Sequence, residues 1–468
     1  MKKAWEWDHE LIETTLPRIL TEEEQHWQDK FEFGDQEWAH RKLLWDIRVP
    51  GSGARERIMA AAIASTELMG YDVTEAEALL PLGIKAMEEK NIPEVFRITS
   101  RILRALNTAS KVEGHPYWNY SVYDTAEKYF RAVEFPAYDA PALKAEDFYQ
   151  KIHAGWTAQI CAAALGTAIE GYSTDNLRKV FGEIWGYVRK PNTYNDDITF
   201  ELAFLEAFLK KGHAVDSADI ADEWISLVPS GWSAEEIALK NLKYGTYPPE
   251  SGMITNPYRE WIGAQMRGAI CGMVAPGDPR EAARLAYMDG VVSHVNNGVL
   301  GEIFNAVITS LSFVERDIRV ICQMGMEMIP KDSEYYSVLR YAWEACKTCE
   351  EWERAWRLCE EKYKRYNWIH AYPNAAAEVV AMYFSRNDFD TCMHISAMCG
   401  QDVDCNAAQI ATPFGIIWGL DAISPKWTEP IGDELSTYMR RYEKTSVSCV
   451  SRRTVEAVKK AGRYIVKE

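Results

Sequence analysis

Between Gly155 and Leu165 the chain reads GWTAQICAAAL, almost wholly small and apolar. A helix without a polar face cannot lie on a surface and must be surrounded by other elements. Glu146 and Asp147 form an acidic start for it, and the spacing predicts one helix running to Glu170. What can surround it is also helical. Arg55 to Met69, Thr74 to Lys90 and Pro93 to Ser110 place apolar residues three and four apart, and few runs alternate as strands do. The expectation is an all-α protein with a helical region over residues 1–145 and a helical domain over 146–468, closed by a final pair of helices. The boundary is placed at Phe135 to Pro141, where two prolines interrupt the helical texture.

Carboxylates mark the ends of these helices. Glu170 closes the buried one, where a charge is costly unless it is paired, metal-bound or open to a cleft. Asn195-Asp196-Asp197-Ile198 leads into an amphipathic helix to Lys211, and Gly400-Gln401-Asp402-Val403-Asp404-Cys405-Asn406 precedes a small-residue helix ending at Gly419. Each acidic pair can cap its helix and offset the positive end of the dipole. Alternatively, the five acids together suit one or two Mg²⁺ or Mn²⁺ ions held by oxygen. No His or Cys pair stands at zinc spacing nearby, and the CxxC of Cys346 and Cys349 lies alone in a charged helical stretch.

Two further stretches carry polar groups between helices. Asn256 to Arg267 is expected to enter a helix that closes at Ala275-Pro276. Asp289 to Gly301 gathers Ser293, His294 and Asn297 where one helix gives way to the next, a place to hold a sugar or phosphate or simply a structural histidine. Pro50-Gly51-Ser52-Gly53 lacks the Gly-Lys-Ser/Thr ending of a phosphate loop and reads as a turn into a helix.

Composition limits the partners. With 52 Lys plus Arg against 69 Asp plus Glu, the formal charge of −17 repels nucleic acid and anionic membrane surfaces. Met1-Lys2-Lys3 is followed by Trp, Glu, Asp and His rather than an apolar leader, and Glu302 and Asn305 interrupt the longest apolar stretch. Ten scattered cysteines match a reducing compartment, so a cytoplasmic protein is expected.

Taken in order, these motifs resemble the ADP-ribosylglycohydrolase family over roughly residues 147–430. The resemblance implies a helical domain that holds two divalent ions, Mg²⁺ or Mn²⁺, and cleaves a glycosidic bond at the anomeric carbon of a ribose. It makes Glu170 the metal-proximal acid, with Glu170 and Asp402 as catalytic residues. It places Asn195, Asp196, Asp197, Asp402, Asp404 and Cys405 at the metal, and Asp289, Ser293, His294, Asn297 and Gly298 along a substrate loop. Asn195-Asp196-Asp197-Ile198 stands where the family has Thr-Asp-Asp-Thr, and Cys405 replaces the threonine of its Asp-x-Asp-Thr. Cysteine followed by asparagine there looks like a bacterial branch of the family. The implied substrate is a ribosylated small molecule or an ADP-ribosylated protein. Two alternatives stay open, a hydrolase of free nucleosides or small ribosides and a non-catalytic scaffold on the same fold.

Overall fold

The computed structural model describes Leu16 and residues 32–138, 143–464 and 466–467. Asp139, Ala140 and Pro141 of the expected boundary, and the amino-terminal Met1-Lys2-Lys3, lie outside the described residues. Helices dominate, and the strands are two or three residues long. After a helix at Glu32–Trp45 comes a hairpin of β1 (Ile47–Arg48) and β2 (Arg55–Glu56), followed by α1 (Ile58–Leu68), α2 (Thr74–Glu88) and α3 (Ile92–Asn107). Their buried residues, Ile63, Leu79 and Ile98 among them, join one hydrophobic cluster that extends to Tyr464.

The fully buried helix expected from the sequence is α4 (Ala145–Gly166), and it packs along α11 (Val403–Trp418) at its centre. Glycines bring the two backbones together. A β-carbon at Gly166 would overlap the backbone of Asp404, and one at Gly415 would overlap Ala154 O. Only hydrogen fits at either place, so these glycines set how closely the helices approach. Between them in chain order come α5 (Asp197–Lys211), α6 (Ser233–Lys243), α7 (Pro279–Gly290), α8 (Asn297–Leu311), α9 (Ala371–Phe384) and α10 (Phe389–Cys399). The last long helix, α12 (Val447–Ala461), lies against α4.

Three expectations differ from the structure. The buried helix stops at Gly166, and Thr167 to Glu170 form a turn closed by Glu170 N donating to Gly166 O at 2.9 Å. Residues 255–264 contain no helix, and only short turns, Gln265–Arg267 and Ala269–Met273, follow. The glycines that favoured close packing there also weaken a helix. The expected terminal pair of helices is one helix preceded by an antiparallel ribbon, Glu434–Ser436 with Lys444–Ser446, whose turn is tied by Thr437 Oγ1. No helix among the described residues is long and apolar enough to cross a membrane. All ten cysteines are free thiols.

Candidate functional site

The close contact of α4 and α11 brings three carboxylate motifs to one cavity. After Glu170, β3 (Tyr172–Ser173) pairs with β4 (Gly400–Gln401), and Gly171 N donates to Gln401 O at 2.8 Å. Gly400 must be glycine, since φ is +69° and a β-carbon would overlap Tyr172 O. This splice fixes Glu170 beside Asp402 and Asp404, while Asp196 arrives from the start of α5. Glu170, Asn195, Asp196, Asp402, Asp404 and Cys405 all line a cavity of about 410 Å³.

Asp196 and Asp402 occupy the N-cap positions of α5 and α11, yet neither carboxylate accepts a capping hydrogen bond. Elsewhere in the chain Asp216, Asp278, Asp317 and Asp388 do cap their helices through the side chain. Side-chain capping therefore fails at Asp196 and Asp402, whose carboxylates are left to the cavity, while Asp197 and Asp404 lie in the first turns, where they offset the helix dipole.

Asp402, Asp404 and Cys405 present one ligand-type atom apiece within 4.8 Å of one another. Asp404 Oδ1 is buried without a hydrogen-bond partner among the described residues. Cys405 Sγ donates to Asp197 Oδ1 at 3.2 Å, which places Asp197 directly behind this cluster. Asn195 works within the first turn of α5: its Oδ1 accepts from Ile198 N at 3.4 Å and its Nδ2 donates to Asp197 Oδ2 at 3.3 Å.

The electrostatics are those of like charges forced together. Burial, then Asp404 and Asp402, raise the Glu170 carboxyl well above its ordinary range. Burial, then Asp404, Asp196 and Asp402, do the same to Asp197. Asp402 is raised by burial and then by Asp404, and Asp196 chiefly by burial. Asp404 is pushed up to about 6 by burial and then by Asp196. Four carboxyls of these motifs, lining one cavity with Asp197 directly behind them, repel one another when ionised, and a bound cation would relieve that repulsion. The orphaned Asp404 oxygen and the carboxylate oxygens of Asp196 and Asp402 fit a hard divalent ion, whereas the Cys405 sulfur is engaged with Asp197.

The substrate-loop residues are placed elsewhere. Asp289, Ser293, His294 and Asn297 are each no more than 1% exposed and line no part of the cavity. Arg267, fully buried, donates to Asp289 Oδ2 at 2.6 Å, to Ser293 Oγ at 3.0 Å and to Glu235 Oε1 at 3.0 Å. Ser293 Oγ lies 2.7 Å from His294 Nδ1, and burial, then Arg267, lower the His294 pKa well below its usual value, so the ring is neutral. Asn297 Nδ2 donates to Glu260 Oε2 at 3.1 Å, and Gly298 lets α8 approach Arg259 and Glu260. Glu235 is the link to the cavity, which it lines, with its carboxyl raised to about 7 mainly by burial.

Several lining residues were not read from the sequence. Thr167 stands one turn before Glu170, and Arg189 is the one Lys or Arg among the described residues that lines the cavity. Trp232, Trp368, Tyr194 and Tyr438 supply aromatic faces. None belongs to a spaced motif, so only the fold assembles them. Val49, Pro50 and Gly51 from the β1–β2 turn also line it.

A family model described as ADP-ribosylglycohydrolase matches residues 144–456. Among solved structures, one described as "ADP-ribosylglycohydrolase-related protein complex" is 17% identical, covering 68% of this chain and 99% of its own, with a TM-score of 0.48. No curated protein matches the chain.

Proposed function

The chain belongs to the ADP-ribosylglycohydrolase family, and on that basis we propose that it is a metal-dependent hydrolase of a glycosidic bond at the anomeric carbon of a ribosyl group. The observation that carries this reading is the cavity itself, in which Glu170, Asp196, Asp402 and Asp404 converge, with Asp196 and Asp402 making no side-chain cap bond among the described residues. Asp196, Asp402 and Asp404 would hold Mg²⁺ or Mn²⁺, one ion or two, with Asp197 close behind through its bond to Cys405. A bound ion supplies charge stabilisation and lowers the pKa of water in contact with it. The thiol, a soft ligand, is better employed as the hydrogen-bond donor to Asp197 than on a hard ion.

The chain's own residues then divide the work. Glu170 is half-buried at the cavity and stands near the metal-holding acids, where it can take a proton from a water and return it to a leaving group. Trp232, Trp368 and Tyr438 give apolar faces against which a sugar or base ring can rest, and their bulk excludes water around it. The buried Arg267 network holds Glu235 and the turn between α7 and α8 in place behind that wall. Asp289, Ser293 and His294 thus act by positioning rather than by touching substrate.

The test is hydrolysis of ADP-ribosyl-arginine, ADP-ribosylated protein and free nucleosides with and without Mg²⁺ or Mn²⁺. The expected result is metal-dependent release of ribose or ADP-ribose that Asp196→Ala and Asp404→Ala abolish. Hydrolysis unchanged in both variants would defeat the proposal.

A further inference from the structure

We propose that the β1–β2 turn, Val49 to Gly53, is the size-selecting wall of this cavity, so that the substrate is a free small riboside rather than one carried on a folded protein. The inference rests on the hydrolase reading above and names its substrate class. The turn lies outside residues 144–456 that match the family model, so this chain adds the wall to the shared domain.

The turn is built against the acids. A β-carbon at Gly51 would overlap Thr167 O and stand 2.8 Å from Glu170 Oε1, so the backbone there touches the turn that carries Glu170. Val49 N donates to Ala54 O at 2.9 Å and Gly53 N to Val49 O at 2.8 Å, which makes the tip a closed, ordered loop. Tyr172 OH donates to Ser52 O at 3.1 Å, and Asn367 Nδ2 donates to Glu56 Oε1 at 3.1 Å. From the opposite rim Arg189 Nη2 donates to Gly51 O at 2.6 Å and reaches Thr167 O at 3.4 Å. Arg189 is a latch that ties the turn to the loop before α5.

The consequence is steric. With Val49, Pro50 and Gly51 forming one side, the cleft of about 410 Å³ lies in the lower part of the range for small-molecule sites, roughly 300–1,000 Å³. A ribose whose leaving group is a protein side chain needs an open side through which the polypeptide can approach. The turn packs against Glu170, the group proposed above to return a proton to the leaving group, and narrows the cleft on that side.

Two readouts test the wall, one of them independent of catalysis. The variants are Arg189→Ala, Arg189→Lys and Gly51→Val, the last pushing the turn away from Thr167. First, kcat/KM is compared for a free riboside and an ADP-ribosylated protein. The wild-type protein is expected to hydrolyse only the free compound, and Arg189→Ala and Gly51→Val to narrow the ratio by at least about tenfold while Arg189→Lys largely retains it. Equal wild-type rates on both substrates would overturn the proposal. Second, Cys405 at the cavity is labelled with a bulky maleimide and with a small thiosulfonate, and the modified peptide is mapped by mass spectrometry. Arg189→Ala and Gly51→Val are expected to accelerate the bulky reagent about tenfold or more with little change for the small one. No acceleration of the bulky reagent in either variant would overturn the wall. If no substrate is hydrolysed by any form, the hydrolase reading fails, and the labelling alone decides whether the wall selects by size.

Discussion

Replacing Asp404 by Asn should stabilise the metal-free protein at neutral pH, because the carboxylate is held among others at a cost to the fold. Its pKa rises from 3.8 to about 6, through burial first and then Asp196. A carboxyl raised in the folded state favours the protonated form there. Its share of stability is fully present below pH about 4 and is lost as pH climbs through about 6. Two pKa units correspond to about 3 kcal/mol. Urea unfolding of metal-stripped wild type and Asp404→Asn, across pH about 4 to 8, should show equal stability at the acid end and a variant more stable by up to about 3 kcal/mol at the neutral end. Saturating Mg²⁺ reverses the order, since ligand at about a thousandfold above Kd adds about 4.1 kcal/mol to the wild type alone. A variant destabilised equally at every pH, with no response of the wild type to metal, would refute the reasoning.

Further expectations follow from other contacts. Gly166→Ala forces a methyl into the Asp404 backbone, so thermal unfolding should show a loss of about 1–3 kcal/mol, with metal affinity falling as Asp404 moves from Glu170. Arg267→Met strands Asp289 and Glu235 in the interior, and chemical denaturation should report a loss of about 3–5 kcal/mol although Arg267 lies outside the cavity. Cys405→Ser keeps a donor to Asp197 and should preserve metal affinity in calorimetry, whereas Cys405→Ala leaves Asp197 with Asn195 as its side-chain donor and should weaken it about tenfold, the value of one hydrogen bond to a charged group.

The helical class and the acidic motifs were legible because both are local. An apolar helix at 155–165 states its own burial, and acidic pairs ahead of small-residue runs state where helices begin. What the sequence could not weigh was whether Asp196 and Asp402 cap their helices, since a cap and a free carboxylate have the same spelling. The polar stretch of Asp289, Ser293 and His294 shows the opposite limit. Its residue types suit a sugar, but Arg267, distant by 22 positions or more, draws them into the interior. Pro50-Gly51-Ser52-Gly53 was legible as a turn but not as a cavity wall, and Arg189 and Trp232 carry no periodic or spaced signal, so they meet only through tertiary packing. The terminal ribbon Glu434–Ser436 with Lys444–Ser446 was hidden because strands of three residues are too short for alternation to show.

Calorimetric titration of the metal-stripped protein with Mg²⁺ and with Mn²⁺, alongside Asp404→Ala, reaches the central claim most directly. The account predicts saturable binding by the wild type, tightened by ADP-ribose or free ribose, and none by the variant. Absence of binding for both ions in the wild type, or equal binding by Asp404→Ala, would contradict it.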